Sequence, residues 1–561
     1  MKWLKKIDDN ILKYLLALFI FFIPLYPKFP FHVVNYTYIA IRLDDFFTAL
    51  LVVVFIIQLV RKKVSFQSLR YKKWFALFWV IVFASLVSGM YVTKTIDYPL
   101  VAFLHSVRRI EYMILFFIAL SVIRSVNDFK FLLFSLISSL LLVNIYGLGQ
   151  RFLDFPAIST MNPEFAKGRI LYLTPEARLS STFAGHYDLA AFLVFMFPIL
   201  WSVFLYSKKF ILSTRERVGV FLLGTLPVVF TLYSMVNSTI LSNIVPALVL
   251  TFSQQLNLMI FFSLTCLLIL FLVMYQHLPK ILLFLLILLS IAILVFTASR
   301  TSSIAYVAST SLFLLYFRKF RYLLFVLILF GVFTYLDSDL LQRWTETIQI
   351  KQIVLNERTG ERQVVQTIRS DKLPAGTAFV RVKNTKESSA SEKLRQELIA
   401  KATLSGKLRT SSQSGITSAE DYETVTGFAG DISITTRLQA SWPRAIKAFL
   451  RNPLLGTGPS SITESSDGDY FRWIGETGAL GAMAFIGTIM AILKGIFVAR
   501  KKVSKDARLL LFGIIFATFG LFINAMLIDV FEASKVAYIL WLSLGLYTGL
   551  IYLNEKQLKD L

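Results

Sequence analysis

The sequence predicts an all-α polytopic membrane protein of about 12–14 transmembrane helices, with a large extracytoplasmic loop of mixed α/β content. Three observations lead there. Of the 561 residues, 56% are hydrophobic and 15% aromatic, with mean hydropathy +0.66, and a soluble chain of this length has no core large enough to hide that excess. Apolar runs close to the length that crosses about 30 Å of hydrocarbon recur along most of the chain, and backbone at that depth must satisfy its own hydrogen bonds, which favours helices. Lysine and arginine collect in alternate short connections, the pattern of cytoplasmic loops.

The apolar segments lie near 11–26, 44–60, 74–92, 108–123, 129–148, 188–206, 218–236, 256–275, 280–297, 301–316, 321–336, 477–498, 507–527 and 535–553. The basic connections are RKK at 61–63, SKKF and RER between 207 and 217, FRKFR at 317–321 and ARKKVSKDAR at 499–508. With the C-terminal NEKQLKDL they place both termini in the cytoplasm. The leader MKWLKKIDDN is charged like a signal peptide, but no small-residue cleavage site follows, so it reads as a retained first helix. Residues 237–255 contain NST and a proline and suit a partly re-entrant segment. The formal net charge of +24 is largely explained by the cytoplasmic clusters, and no nucleic-acid motif interleaves them, so no nucleic-acid partner is expected. Cys266 stands alone, which excludes an intramolecular disulfide framework and a cysteine-based metal site. No metal and no cofactor is expected.

This divides the chain into an N-terminal transmembrane bundle over 1–336 with about eleven helices, an extracytoplasmic loop over 337–476 and C-terminal transmembrane helices over 477–561. Within the loop, alternating stretches between Thr347 and Lys383 such as TIQIKQIVL and TAFVRVK read as strands, and the charged stretch from Glu387 to Lys407 reads as helical. SGKLRTSSQSGITS reads as a linker, and 337–420 as an insertion. Residues 430–476 are the site-forming part: SITTRLQASWPRAIKAFLRNPLLGTG suits an amphipathic helix that stops at Asn452-Pro453 and enters a glycine loop.

Four charged features fall on the side opposite the basic connections. They are Arg178 in EARLSSTFAGHYDLAAF, Arg300 in TASRTSS, Arg437 in the loop, and the run SSDGDYFRWIGETGALG with Asp467, Asp469, Arg472 and Glu476. Each has a plainer reading. An arginine at a helix end often anchors the interface with its stem snorkelling, Arg472 and Glu476 suit an ordinary i,i+4 pair, and the glycines at 475, 478 and 481 suit helix packing. GTGPSS could form a backbone nest for an anion. Together, permanently charged guanidinium groups and one ionised carboxylate suit displacement of a diphosphate by a hydroxyl, because the cations hold the leaving group and the carboxylate accepts the proton.

At these residues the sequence resembles the O-antigen ligase and O-antigen polymerase family of bacterial membrane glycan transferases. The stretches that carry the resemblance are RLSSTFAGHYDLAAFLVFMFPIL, TASRTS, WPRAIKAFLRNPLLGTGPSS and DYFRWIGETGALG, with weaker similarity in IRLDDF and VRRIEYMILF. The resemblance implies glycan transfer from undecaprenyl diphosphate to a sugar acceptor, inverting and metal-independent, at the outer face of the cytoplasmic membrane. The implied partners are a polyprenyl-diphosphate-linked glycan donor, a glycan, lipid or protein acceptor, and membrane lipids. By position, Arg178, Arg300, Arg437 and Arg472 are candidates for binding the diphosphate, and Asp467, Asp469 and Glu476 for catalysis. The family's ligases carry a histidine three positions before a tyrosine, where this chain has Asp467 before Tyr470, and His186 is an alternative base. A transporter of polysaccharide or lipid-linked glycan, and a non-catalytic member that binds glycan-lipid, are the competing readings. A transporter more often places its ionisable groups at mid-membrane in repeated halves.

Overall fold

The computed structural model describes residues 2–28, 30–33, 40–64, 71–160, 170–174, 177–207, 210, 213–236, 280–336, 348–356, 362–364, 378–382, 422–430, 437, 441–462 and 468–553. The helices are α1 (Lys2–Leu25), α2 (Leu43–Val60), α3 (Lys72–Tyr91), α4 (Pro99–Val122), α5 (Val126–Phe152), α6 (His186–Tyr206) and α7 (Thr214–Val236). They continue with α8 (Lys280–Phe296), α9 (Arg300–Tyr316), α10 (Phe320–Leu336), α11 (Trp442–Arg451), α12 (Asp469–Ala499), α13 (Ala507–Asn524) and α14 (Ser534–Ile551). Local chemistry fixes several starts. Pro99 opens α4, where its missing N–H costs nothing, and the Ser125 hydroxyl caps α5 by accepting from Asp128 N–H at 3.2 Å.

The fold is that of a polytopic, helical membrane protein. Among the described residues, seven helices (α2, α3, α5, α6, α12, α13 and α14) are long and apolar enough to cross a bilayer. Apolar character alone does not set their place. The apolar windows of α6 and α14 are 94% buried and lie inside the bundle, whereas that of α2 is 28% buried and turns Phe46, Leu50, Val53 and Ile57 outward, as a lipid-facing helix does. The expected span at 256–275 lies outside the described residues.

The chain forms two compact units, Met1–Leu340 with Ala445–Leu561, and Leu341–Arg444. In the second, strands β5 (Ile348–Asn356), β6 (Arg362–Val364), β7 (Ala378–Val382) and β8 (Tyr422–Gly430) pair antiparallel in the order β6-β5-β8-β7. The long central pairing runs from Ile348 opposite Gly430 to Asn356 opposite Tyr422. The expected helical stretch 387–407 lies outside the described residues. In the first unit, two short hairpins, β1 (Pro30–Val33) with β2 (Ala40–Arg42) and β3 (Ala157–Ile158) with β4 (Ile170–Leu171), sit at helix connections.

The two ends of the bundle differ chemically. At one, Arg61 donates to Asp8 at 2.6 Å, Lys63 to Asp9 at 2.7 Å and Lys13 to Asp128 at 2.8 Å, which joins the start of α1 to the connections around it. At the other, the ammonium of Lys535 donates to the carbonyls of Pro24, Tyr26 and Thr182 at 3.0, 2.7 and 2.7 Å. All three of its donors are used, so the start of α14 holds together the end of α1 and the segment before α6.

At this second end α12 is broken. Gly478 has φ 65° and ψ −171°, a region essentially restricted to glycine. The break exposes backbone that a loop then pairs with: Thr457 N–H donates to Gly475 O and Gly458 N–H to Glu476 O, both at 2.9 Å, while Ala479 N–H returns to Pro453 O at 2.8 Å. Gly478 is therefore a breaker and not the packing residue its spacing suggested. Replacing it with alanine would place Cβ 2.3 Å from Leu454 O and enforce a conformation costing about 1–3 kcal/mol in strain alone. Gly478→Ala is expected to lower the thermal midpoint of detergent-solubilised protein. Gly331→Ala on α10, where nothing lies within 4 Å, should leave it unchanged or raise it.

Candidate functional site

Beside the break lies a chain of alternating charges. Arg109 on α4 is 6% exposed; its Nε donates to Glu532 Oε1 at 2.9 Å and its Nη2 to Glu476 Oε2. Glu476, 1% exposed, also accepts the Ser460 N–H at 3.2 Å, and its Oε1 lies 3.8 Å from Arg472 Nη1. Arg472 in turn donates to Asp529 Oδ2 at 3.0 Å, and Gly468 N–H donates to Asp529 Oδ1 at 2.9 Å. Two guanidinium groups thus sit between three carboxylates. Only close mutual compensation makes burial of so many charges tolerable.

The glycine loop serves this chain directly. Its amides at Thr457 and Gly458 are bonded to α12 carbonyls and that of Ser460 to the Glu476 carboxylate, so the nest expected for an external anion binds the protein's own glutamate. Asp469 has a comparable internal task. It is fully buried, and its Oδ2 accepts Val530 N–H at 2.7 Å and Phe531 N–H at 3.1 Å, which fixes the connection between α13 and α14. That connection presents Asp529 and Glu532.

A cavity of about 230 Å³ opens against the chain, lined in part by Arg472, Asp529 and Glu532 and by Lys28, Arg42 and Arg108. His105, Tyr112 and Asp188 complete much of the wall. Arg108 donates to Asp45 at 3.0 Å, so the weakly similar stretches IRLDDF and VRRIEYMILF meet here. Burial alone would raise the Glu532 carboxyl, but Arg109 and Arg472 outweigh it and hold the group below the usual carboxylate range.

The other expected residues are placed as follows. Arg178 is exposed and its Nη1 lies 3.2 Å from His186 Nε2. A guanidinium only donates, so Nε2 accepts, and a neutral His186 ring carries its proton on Nδ1. Arg300 is half-buried at the first position of α9. Leu179 N–H donates to Phe296 O at 3.1 Å, which brings the Arg178 segment to the α8–α9 junction that carries Arg300. Asp188, one turn into α6 from this junction, reaches the cavity. Arg437 is buried within the second unit, and Asp467 lies outside the described residues.

Arg109, Asp529 and Glu532 are the members that sequence reasoning did not single out. A signal was present for each. Arg109 stands with Arg108 and Glu111 where VRRIEYMILF enters an apolar run; charges at such a place are by default a functional marker, and IDVFEAS puts two carboxylates three residues apart in a short connection.

Two outcomes are expected. Arg109→Leu leaves Glu476 with only the more distant Arg472, and Glu532 without its bonded cation, and should cost about 3–5 kcal/mol, part of it recovered in Arg109→Leu with Glu476→Leu; thermal unfolding in detergent measures both. Because the Glu532 carboxyl is depressed in the folded state, its contribution is present above the ordinary glutamate value of about 4.3 and is lost as pH falls through the lower folded value. The thermal midpoint of the parent should therefore drop on acidification through that window, and drop less in Glu532→Gln.

Residues 284–486 match the family model described as O-antigen ligase. The matched stretch, a little over a third of the chain, contains Arg300, Arg472, Glu476 and the glycine loop. No curated protein and no solved structure matches. The match and the quoted motifs fall on the same residues, so this stretch of the membrane protein is similar to the O-antigen ligase family.

Proposed function

We propose that this protein transfers glycan from a polyprenyl-diphosphate-linked oligosaccharide to a sugar hydroxyl, as a ligase or polymerase, at the outer face of the cytoplasmic membrane. The observation that carries the reading is the buried Arg109–Glu476–Arg472 chain beside a polar cavity, built in part from the stretch that matches the O-antigen ligase family. The basic connections lie at the opposite end of the bundle, and the positive-inside rule assigns that end to the cytoplasm with both termini, leaving the site outside.

In this reading an acceptor hydroxyl attacks the anomeric carbon opposite the diphosphate. The bond from that carbon to the diphosphate oxygen breaks, its electron pair leaves on the diphosphate, and a single displacement inverts the centre. Arg178 and Arg300 neutralise the developing charge on the leaving group, the part a divalent metal plays in many transferases, while Arg472, bonded to Asp529, is a positioning residue. The hydroxyl proton goes to Asp467, whose chain neighbour Gly468 is bonded to Asp529. Glu476 and Asp469 act as positioning residues, because their carboxylates are occupied by Arg109, Ser460 N–H and the 530–531 amides. His186 Nε2 is similarly occupied by Arg178, which favours the aspartate as base.

The test is glycan transfer by the purified chain in liposomes supplied with lipid-linked donor. Arg300→Ala and Asp467→Asn should each lower turnover by about 10²–10⁴-fold while the protein still inserts, and a chelator should leave the parent active. Undiminished turnover in both variants removes the proposed site. Movement of donor between leaflets with no change in its glycan would identify a transporter instead.

A further inference from the structure

Two cations of the cavity wall lack the close counter-charge that their neighbours have. Arg109, Arg108 and Arg472 each bond a carboxylate, and Lys535 bonds three carbonyls. Lys28 and Arg42, 7% and 6% exposed, make no ion pair and no side-chain hydrogen bond among the described residues, and Arg42 Nε is buried without an acceptor. Asp44 and Asp188 act on Lys28 through space, and Asp44 and Asp45 on Arg42, but none of them forms a salt bridge with either side chain among the described residues. A buried ammonium and a buried guanidinium are costly unless something anionic completes them, and both line the cavity. Neither Arg178 nor Arg300 lines it, and Lys28 and Arg42 lie well before the stretch that matches the family.

We propose that Lys28 and Arg42 form a binding site for a lipid-borne diphosphate, separate from the Arg178–Arg300 junction. A compact ammonium beside a forked guanidinium is a donor set suited to phosphate oxygens. The lipid source follows from the approach to the site. A smaller cavity of about 170 Å³ shares His105 and Arg108 with the polar one and is lined further by Ile41, Leu104 and Val107 and by two carboxylates, Asp45, bonded by Arg108, and Glu111, bonded by the Tyr538 hydroxyl. Ile41 and Val107 are exposed, as are Phe46 on α2 and Phe103 on α4, so an apolar surface leads from the bilayer side to the polar wall. A head group that arrives on a hydrocarbon chain can follow that surface; a soluble anion gains nothing from it. The assignment rests on the glycan-transfer reading for its biological meaning: a second lipid-diphosphate position is what an acceptor needs when it, too, is carried on a lipid.

The experiment measures binding of polyprenyl diphosphate, and of inorganic pyrophosphate, to the full chain in nanodiscs, for the parent, Lys28→Met, Arg42→Gln and the double variant. The parent is expected to bind the lipid at least about 100-fold more tightly than pyrophosphate, each single variant to lose about 10-fold and the double variant more. Lys28→Arg, which keeps the charge, should bind within a few-fold of the parent. Without ligand the double variant should melt no lower than the parent, because two buried cations that bond no carboxylate are gone. Unchanged lipid binding in the double variant overturns the site, and equal binding of pyrophosphate overturns its assignment to a lipid. A double variant that loses binding only together with its thermal stability shows a structural role and overturns the proposal as well. Binding is read without transfer, so a parent that binds but transfers nothing leaves this site standing and removes the enzyme reading. Normal transfer with unaltered lipid binding in the double variant does the reverse.

Discussion

The contact between Arg109 and Glu476 is the constraint on which the rest of this end of the bundle depends. A carboxylate 1% exposed and a guanidinium 6% exposed are held together by α4 and by α12 at its break. Coulomb attraction at that depth is strong, but desolvation is of the same order, so the pair persists only because further groups complete it. Ser460 N–H and Arg472 lie on the Glu476 side and Glu532 on the Arg109 side. Each of those partners then places a structural demand of its own. The Ser460 amide requires the glycine loop to cross α12, the crossing requires free carbonyls at 475 and 476, and those require a break that only a glycine conformation at 478 supplies.

This chain of requirements explains which parts were legible in the sequence. Hydrophobic runs located the helices because lipid rewards length and apolarity residue by residue, with no need to know the neighbours. Arg472 and Glu476 were legible as a pair because four residues on a helix bring side chains together locally. Arg109 with Glu532 was not, since 423 residues separate them and nothing in either local pattern encodes the meeting. Gly478 was read as packing because its spacing fits both roles, and only its non-helical backbone conformation separates them. The glycine loop was read as open to an external anion for the same reason: its amides are of the right kind, but their partners come from α12.

Two regions of cationic character emerge at this end of the bundle. One is the α8–α9 junction, where Arg178 is exposed, Arg300 half-buried and His186 buried. The other is the polar cavity, whose cations come mostly from the first four helices and their connections. The carboxylates that face them, Asp529 and Glu532, come from the last hairpin. Lys535 joins these regions mechanically: by gripping Pro24, Tyr26 and Thr182 it sets the start of α14 against both the α1 end, which leads to Lys28, and the segment that leads to His186.

The order in which the ribosome delivers these parts has a cost. Arg109 is synthesised 367 residues before Glu476, and at about 5–20 residues per second that interval is on the order of 20–70 s. Throughout it, a guanidinium lodged in the nascent bundle has no counter-ion from the C-terminal helices, and Lys28 and Arg42 add to the same deficit. Biogenesis must therefore shelter this surface, through water or lipid head groups drawn inward or through an insertion factor, until the final hairpin arrives. A chain truncated before α12 would present a persistent intramembrane charge, the kind of lesion that quality-control proteases of a bilayer are positioned to detect.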